Sequence, residues 1–128
     1  MKIERFEDLE IWKLARDLYK YVFLVSSIEP FNSDFRLRDQ IRASSGSVSD
    51  NISEGFERGG NKELVQFLYV AKGSCGETRN QSYRAFDSNY IDQKTLDTLP
   101  EKTIILNQQI SNFIKYIKSS NFRGEKYQ

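Results

Sequence analysis

Apolar residues recur along this chain at steps of three and four, and the steps fall into four blocks. In the first, Ile11, Leu14, Ala15, Leu18, Val22 and Val25 share one face of a helix predicted over residues 7–26. Trp12, Tyr19 and Phe23 widen that face on one side, and Glu7, Asp8 and Glu10 suit the positive end of the helix dipole. The link Ser27–Ser33 contains Pro30 and ends in Ser33, a residue able to cap the next helix. That second helix is predicted over 34–58, with the stripe Leu37, Ile41, Ser45, Val48, Ile52 and Phe56. Gly59-Gly60 stops it, and Asn61 is placed to cap a third helix over 62–87. The inward stripe of the third is Leu64, Phe67, Leu68, Ala71, Cys75, Thr78, Ser82, Ala85 and Phe86. A fourth helix over 92–120 carries Leu96, Leu99, Thr103, Leu106, Ile110, Phe113 and Ile117 in a 3-4-3-4 seam. Pro100 interrupts the seam, so either the helix kinks there or a short turn ends near Thr98 and Pro100 opens the main helix. The unbroken seam favours a kinked, nearly continuous helix. Residues 121–128 are polar and are expected to fray. With no strand-like alternation and no repeat, the reading is all-α: an antiparallel up-down four-helix bundle formed by residues 1–120.

The middles of the second and third helices are unusual. Ser44, Ser45 and Ser49 on one, and Ala71 and Cys75 on the other, stand where Leu and Ile are normal. Propensity alone reads these stretches as loop, because Ser, Asn and Gly are poor helix formers. The spacing reads them as helix. Two helices with small middles can approach at the short end of the roughly 8–10 Å range of packed helices.

Composition then narrows the chemistry. The chain has 128 residues, 38% apolar and 13% aromatic, which is globular. Its net charge of +1 gives no global attraction to a polyanion, and no run of like charge forms a basic arm. There is no histidine and one cysteine, Cys75. That set excludes internal disulfides, the usual zinc sites, His-assisted nucleophiles and the Glu-x-x-His di-metal site of other bundles. No catalytic residue, cofactor or metal is therefore expected, and Cys75 reads as an inert buried thiol. Residues 1–9 hold Glu4, Glu7 and Asp8 and no apolar run, unlike a signal peptide, and the apolar run Tyr21–Val25 is too short to span a bilayer. The expectation is a cytoplasmic protein with no membrane partner.

Two lines of side chains are candidates for function. On the second helix Gln40, Ser47, Asn51, Glu54 and Arg58 fall within an arc of about 60° beside the apolar stripe. Their position predicts partial burial. Glu54 then needs a cation, from Arg58 one turn on or from Arg79 or Arg84 of the third helix. The line serves either as an acid–base site at Glu54 or, the preferred reading, as a polar network that fixes how helices and chains pair. On the third helix Tyr69, Lys72, Gly76, Arg79 and Tyr83 alternate aromatic and basic residues. Such a line can stack bases and hold phosphate, or form a subunit interface, where Tyr and Arg are also favoured. The interface is preferred. Gly73 points outward, which fits something packing closely on that face. Arg36, Arg38 and Arg42 spread around their helix among Asp34 and Asp39 and read as a solvated mixed face.

Residues 40–55 and 67–77 together carry a resemblance. Gln40, Ile41, Arg42, Ser47, Val48, Asn51, Ile52, Glu54 and Gly55, followed by Phe67, Leu68, Ala71, Gly73, Ser74 and Glu77, resemble the motif of a family of four-helix-bundle proteins. These proteins are encoded in intervening sequences of bacterial 23S ribosomal RNA genes. The opening Phe6-x-x-Leu9-x-x-Trp12-x-x-Ala15 also fits, and the likeness covers residues 5 to 118. It departs from the motif at Ala43, where the second arginine of a pair belongs, and at Ser44-Ser45, which replace Ala-Ala. The resemblance implies a homopentameric barrel of bundles with no known enzymatic activity. A related branch assists a reverse transcriptase in diversity-generating retroelements and is strongly basic, unlike this chain. The functional expectation is a non-enzymatic, ring-like homo-oligomeric scaffold or adaptor. The alternative is an accessory protein bound to RNA or DNA through the third-helix line or a central pore.

Overall fold

A computed structural model describes residues 2–119. A 3-10 turn over Phe6–Asp8 precedes α1 (Glu10–Ser26), and a second over Phe31–Ser33 precedes α2 (Phe35–Glu57). Two long helices complete the chain, α3 (Asn61–Asp87) and α4 (Gln93–Ser119). No strand occurs among the described residues. Each helix packs on the next and α1 also packs on α4, so the four close an antiparallel bundle around one core. The frayed segment expected over 121–128 lies outside the described residues.

Local chemistry sets where the helices begin and end. The Asp8 carboxylate accepts from the backbone N–H groups of Glu4 and Arg5 at 3.0 and 3.1 Å, closing the first turn on itself. Leu9 then turns to extended backbone and buries its side chain, so α1 starts at Glu10 and not at Glu7. The cap of α2 is Asp34, whose Oδ1 accepts from Leu37 N–H at 3.0 Å; Ser33 instead donates to Glu29. Asn61 is no cap. It sits inside the first turn of α3 after Gly60, with Oδ1 buried and without a hydrogen-bond partner among the described residues. Left-handed residues stop two helices: Gly59 (φ 92°) after α2 and Asn89 (φ 63°) after α3. Asp92 opens α4 by accepting from Thr95 N–H at 2.9 Å, and α4 runs unbroken through a buried Pro100. The helix does not start at Pro100.

The core holds Ile11, Ala15, Leu18 and Val22 of α1, Leu37, Ile41, Val48 and Ile52 of α2, Leu64, Leu68 and Ala71 of α3, and Leu99, Leu106 and Ile110 of α4. Burying such a Leu, Ile or Val side chain stabilises by roughly 1.5–3 kcal/mol. The side of α1 expected to widen this face does so only in part. Trp12 and Tyr19 are half-buried, whereas Phe23 is exposed and lies 4.3 Å beneath the Arg42 guanidinium. The α2–α3 contact is the most extensive in the bundle. Ser44, Ser45, Ala71 and Cys75 are all buried in the core along these two helices. The helices meet closely at Gly55, where an added Cβ would stand 2.7 Å from Phe67 Cβ and 3.2 Å from Leu64 Cδ1. Any side chain on Gly55 would force the two helices apart.

Candidate functional site

The close α2–α3 approach brings polar side chains together across the seam. Ser44 Oγ donates to Gln81 Oε1 at 2.6 Å and lies 2.8 Å from Thr78 Oγ1. Thr78 in turn donates to the Ser74 carbonyl at 3.0 Å. Ser44 is only 5% exposed, Gln81 4% and Thr78 fully buried, so these hydrogen bonds replace water that the groups have lost. One turn along, the Ser47 and Ser74 hydroxyls meet at 2.9 Å, and Asn51 Nδ2 donates to Ser47 O and Oγ at 2.8 and 2.9 Å. Above this layer a groove of about 410 Å³ opens between the helices, rimmed by Gln40, Ser47, Ser74, Glu77, Asn80 and Arg84. Four residues singled out in the sequence, Gln40, Ser47, Ser74 and Glu77, thus converge on one groove.

The rest of the second-helix line behaves differently from expectation. Glu54 is not buried: its side chain is 53% exposed, and Arg58 Nη2 donates to it at 3.0 Å. Arg84 Nη1 donates to Gln40 Oε1 at 3.3 Å instead, and among the described residues Arg79 makes no ion pair with Glu54. The Arg58 guanidinium also covers the Phe67 ring at 5.2 Å. An exposed, solvent-screened pair of this kind is a surface feature, so the buried network expected at Glu54 does not form there. The physical cause lies in helix phase: Glu54 sits at the outer edge of the arc, while Ser47 and Asn51 nearer α3 are half-buried. Gly55, by contrast, is the buried contact point with Phe67. Arg42 is not a loosely solvated charge either. Its Nε and Nη2 donate to Ser26 and Ser27 hydroxyls at 2.8 and 3.0 Å, tying α2 to the end of α1.

Tyr69, Lys72, Gly76, Arg79 and Tyr83 run along the edge of α3 that faces α4. Lys72 Nζ donates to Ser111 Oγ at 2.6 Å, and Lys118 Nζ to Tyr69 Oη at 3.0 Å. The Lys118 hydrogen bond and charge hold the Tyr69 phenol below its usual pKa. Tyr69 and Tyr83 each remain 49% exposed. Among the described residues, nothing lies within 4 Å of a Cβ built on Gly73 or Gly76. Cys75 is buried, donates to the Thr103 carbonyl at 3.2 Å, and its thiol is pushed up to about 11 by burial.

With the geometry in place, comparison with known proteins decides the family. The sequence profile of the 23S rRNA-intervening sequence proteins matches residues 7–112. The chain belongs to this family. Among the curated proteins there is no match. The fold is also similar to the 1.70 Å crystal structure of a protein of unknown function from the S23 ribosomal protein family of Bacteroides thetaiotaomicron VPI-5482. The two share 18% identity with a TM-score of 0.75 over 82% of this chain and 95% of the other, a likeness of fold alone. Neither comparison names a catalytic activity. No helix among the described residues of this 23S rRNA-intervening sequence protein is long and apolar enough to cross a membrane.

The groove contains three residues that the sequence reading did not single out as a site: Gln81, Asn80 and Arg84. Gln81 falls at the margin of the third-helix stripe and not on it. The available signal was a pairing: polar core positions on one helix, Ser44 and Ser45, matched by Thr78 and Ser82 on the next.

Proposed function

We propose that this protein is a non-enzymatic, homo-oligomeric helical scaffold or adaptor that assembles as a ring. The observation that carries the reading is the outer edge of α3. Tyr69 and Tyr83 present half-exposed rings, Val70 is 52% exposed beside them, and Gly73 and Gly76 leave the helix surface open for a close approach. Exposed tyrosine next to arginine is a composition favoured in interfaces. The register set by the Lys72–Ser111 and Tyr69–Lys118 contacts places exposed Ile104 of α4 level with Arg79, extending the apolar area across both helices. The pentamer number rests on the family resemblance. Light scattering on the purified protein should return a mass near five chains of 15.0 kDa. Gly73→Trp should lower that mass while leaving the helical content intact. A single-chain mass for the unaltered protein ends the proposal.

A second reading is supported by the same edge, because Lys72 and Arg79 lie between the two exposed tyrosines and a ring would gather several copies of them. Non-specific nucleic-acid binding has a dissociation constant of about 10⁻⁴–10⁻⁶ M at physiological salt. Nanomolar binding of a labelled RNA pool at that salt, lost in a Lys72→Glu, Arg79→Glu double variant, would replace the scaffold reading.

A further inference from the structure

The α2–α3 groove holds two unmatched charges and an unmatched amide. Glu77 has no cation within 4 Å among the described residues, and Arg84 has no carboxylate within that distance. Arg84 keeps only the Gln40 amide oxygen, and contributes weakly to holding the Asp34 carboxyl low, behind the Leu37 N–H and the Tyr90 hydroxyl. Between them lies Gln81. Its Oε1 is taken by Ser44, yet its Nε2 donates to no acceptor among the described residues although the side chain is 96% buried. Because Gln81 lines the groove and its nitrogen is not among the enclosed unpartnered atoms, that nitrogen opens onto the groove. A donor on a largely buried side chain that is itself open to the groove is a fixed hydrogen-bond site for something that enters and accepts from it.

The lining defines what that something is. An anion and a cation at opposite ends call for a zwitterion. The hydroxyls of Ser47 and Ser74, with the Gln81 and Asn80 amides, call for carbonyl and N–H groups in between. Among the described residues no aromatic ring lines the groove, which disfavours stacking ligands such as nucleobases. Glu77 and Arg84 are two helical turns apart, about 10 Å along the axis at 1.5 Å per residue. A free amino acid is too short to reach both, whereas three extended residues, at about 3.3–3.6 Å each, span that distance. We infer that the α2–α3 groove binds a short, extended, non-aromatic peptide of about three residues, its ammonium at Glu77, its carboxylate at Arg84 and a central carbonyl on Gln81. The inference does not depend on the scaffold reading, since each groove lies within one chain.

Triglycine is the probe, titrated into isotope-labelled protein and followed by amide NMR. Saturable shifts are expected at the Gln81 side-chain NH₂ and at the Ser47 and Ser74 amides. N-acetyl-triglycine, lacking the ammonium, and triglycinamide, lacking the carboxylate, should each bind about two- to fivefold more weakly, the scale of losing a solvent-exposed ion pair. Glu77→Gln should weaken triglycine and leave N-acetyl-triglycine unchanged, and Arg84→Gln should do the same for triglycinamide. Both side chains are exposed, so circular dichroism of the variants should match the parent. Absence of saturable shifts, shifts centred elsewhere, or capped peptides that bind as well as triglycine would each overturn the inference. Light scattering of the same samples reads the assembly separately, so a single-chain mass would sink the scaffold without touching the peptide site.

Discussion

Replacing Gly55 by alanine adds one methyl group where α2 and α3 are in close contact. The new Cβ would lie 2.7 Å from Phe67 Cβ, and 3.4 Å from Leu64 Cα. Carbon atoms in ordinary contact stand about 3.5–4.0 Å apart, so the first of these pairs must separate by about 1 Å. Neither atom is the end of a flexible side chain; both are fixed to helix backbones, and the relief comes from moving α2 and α3. Overpacking of this kind costs about 1–3 kcal/mol. Alanine returns about 0.5–1 kcal/mol by restricting the unfolded chain relative to glycine. The net is a loss of about 0–2.5 kcal/mol, centred near 1 kcal/mol, and with a urea slope of about 2 kcal/mol per molar the midpoint should fall by about half a molar. Gly46→Ala is the matched control. Its Cβ would meet only the Tyr19 ring at 3.6 Å, an ordinary contact, so the midpoint should rise slightly. The measurement is equilibrium urea unfolding followed by circular dichroism on both variants. A Gly55→Ala midpoint at or above that of the unaltered protein would refute the argument, because it would mean that the helices do not touch there.

Glu54→Ala should cost at most about 0.5 kcal/mol, the scale of an exposed ion pair one helical turn apart, and thermal melting that shows a larger loss would place Glu54 in a contact between chains. Cys75 should stay unreactive toward an aromatic disulfide reagent at pH 8 and react only as fast as the bundle opens; prompt labelling would contradict a buried thiol pushed up to about 11. Asp34 is held below its usual pKa first by the Leu37 N–H and then by the Tyr90 hydroxyl, which donates at 2.8 Å. Its contribution is therefore complete above the ordinary carboxylate range and fades as the pH drops through the lowered value, so Asp34→Asn should flatten the acid limb of a stability–pH curve. An unchanged acid limb would remove Asp34 from the account.

Periodicity located the helices because burial demands it: Ile41, Val48 and Ile52, or Leu99, Leu106 and Ile110, must share a face whatever else the sequence does. The ends were less legible. A helix start is decided by which carboxylate reaches which N–H: Asp8 closes a turn ahead of α1, Asp34 and not Ser33 caps α2, and Asn61 lies inside α3 and does not cap it. The small-residue middle of α2 and α3 was readable as a close approach, but the contact at Gly55 was not. Gly55 looks like a weak helix former until its neighbour across the seam is known to be Phe67. Glu54 was misplaced for a related reason. An arc of about 60° spans both a half-buried edge and open solvent, and an angle computed from one helix cannot say where the next helix lies. The groove required that second helix too, since Gln81 and Arg84 join Gln40 and Ser47 only through the α2–α3 pairing.

The buried hydroxyl layer has a consequence for how the chain avoids folding wrongly. The Ser44–Thr78 and Ser47–Ser74 pairs fix which level of α2 meets which level of α3. Sliding one helix by seven residues would preserve most of the apolar match, as a repeating stripe allows. It would also set Ser44 opposite Ala71 in one direction and opposite Ala85 in the other, and alanine side chains accept nothing. Ser44 would keep the Ile41 carbonyl and Thr78 the Ser74 carbonyl, so what is lost is each cross-helix hydrogen bond, at about 0.5–1.5 kcal/mol. The serines that weaken the helices locally therefore act as a key. They let the correct hairpin close and penalise the slipped or strand-exchanged ones, and substituting them with alanine should yield a chain that folds readily into more than one alignment.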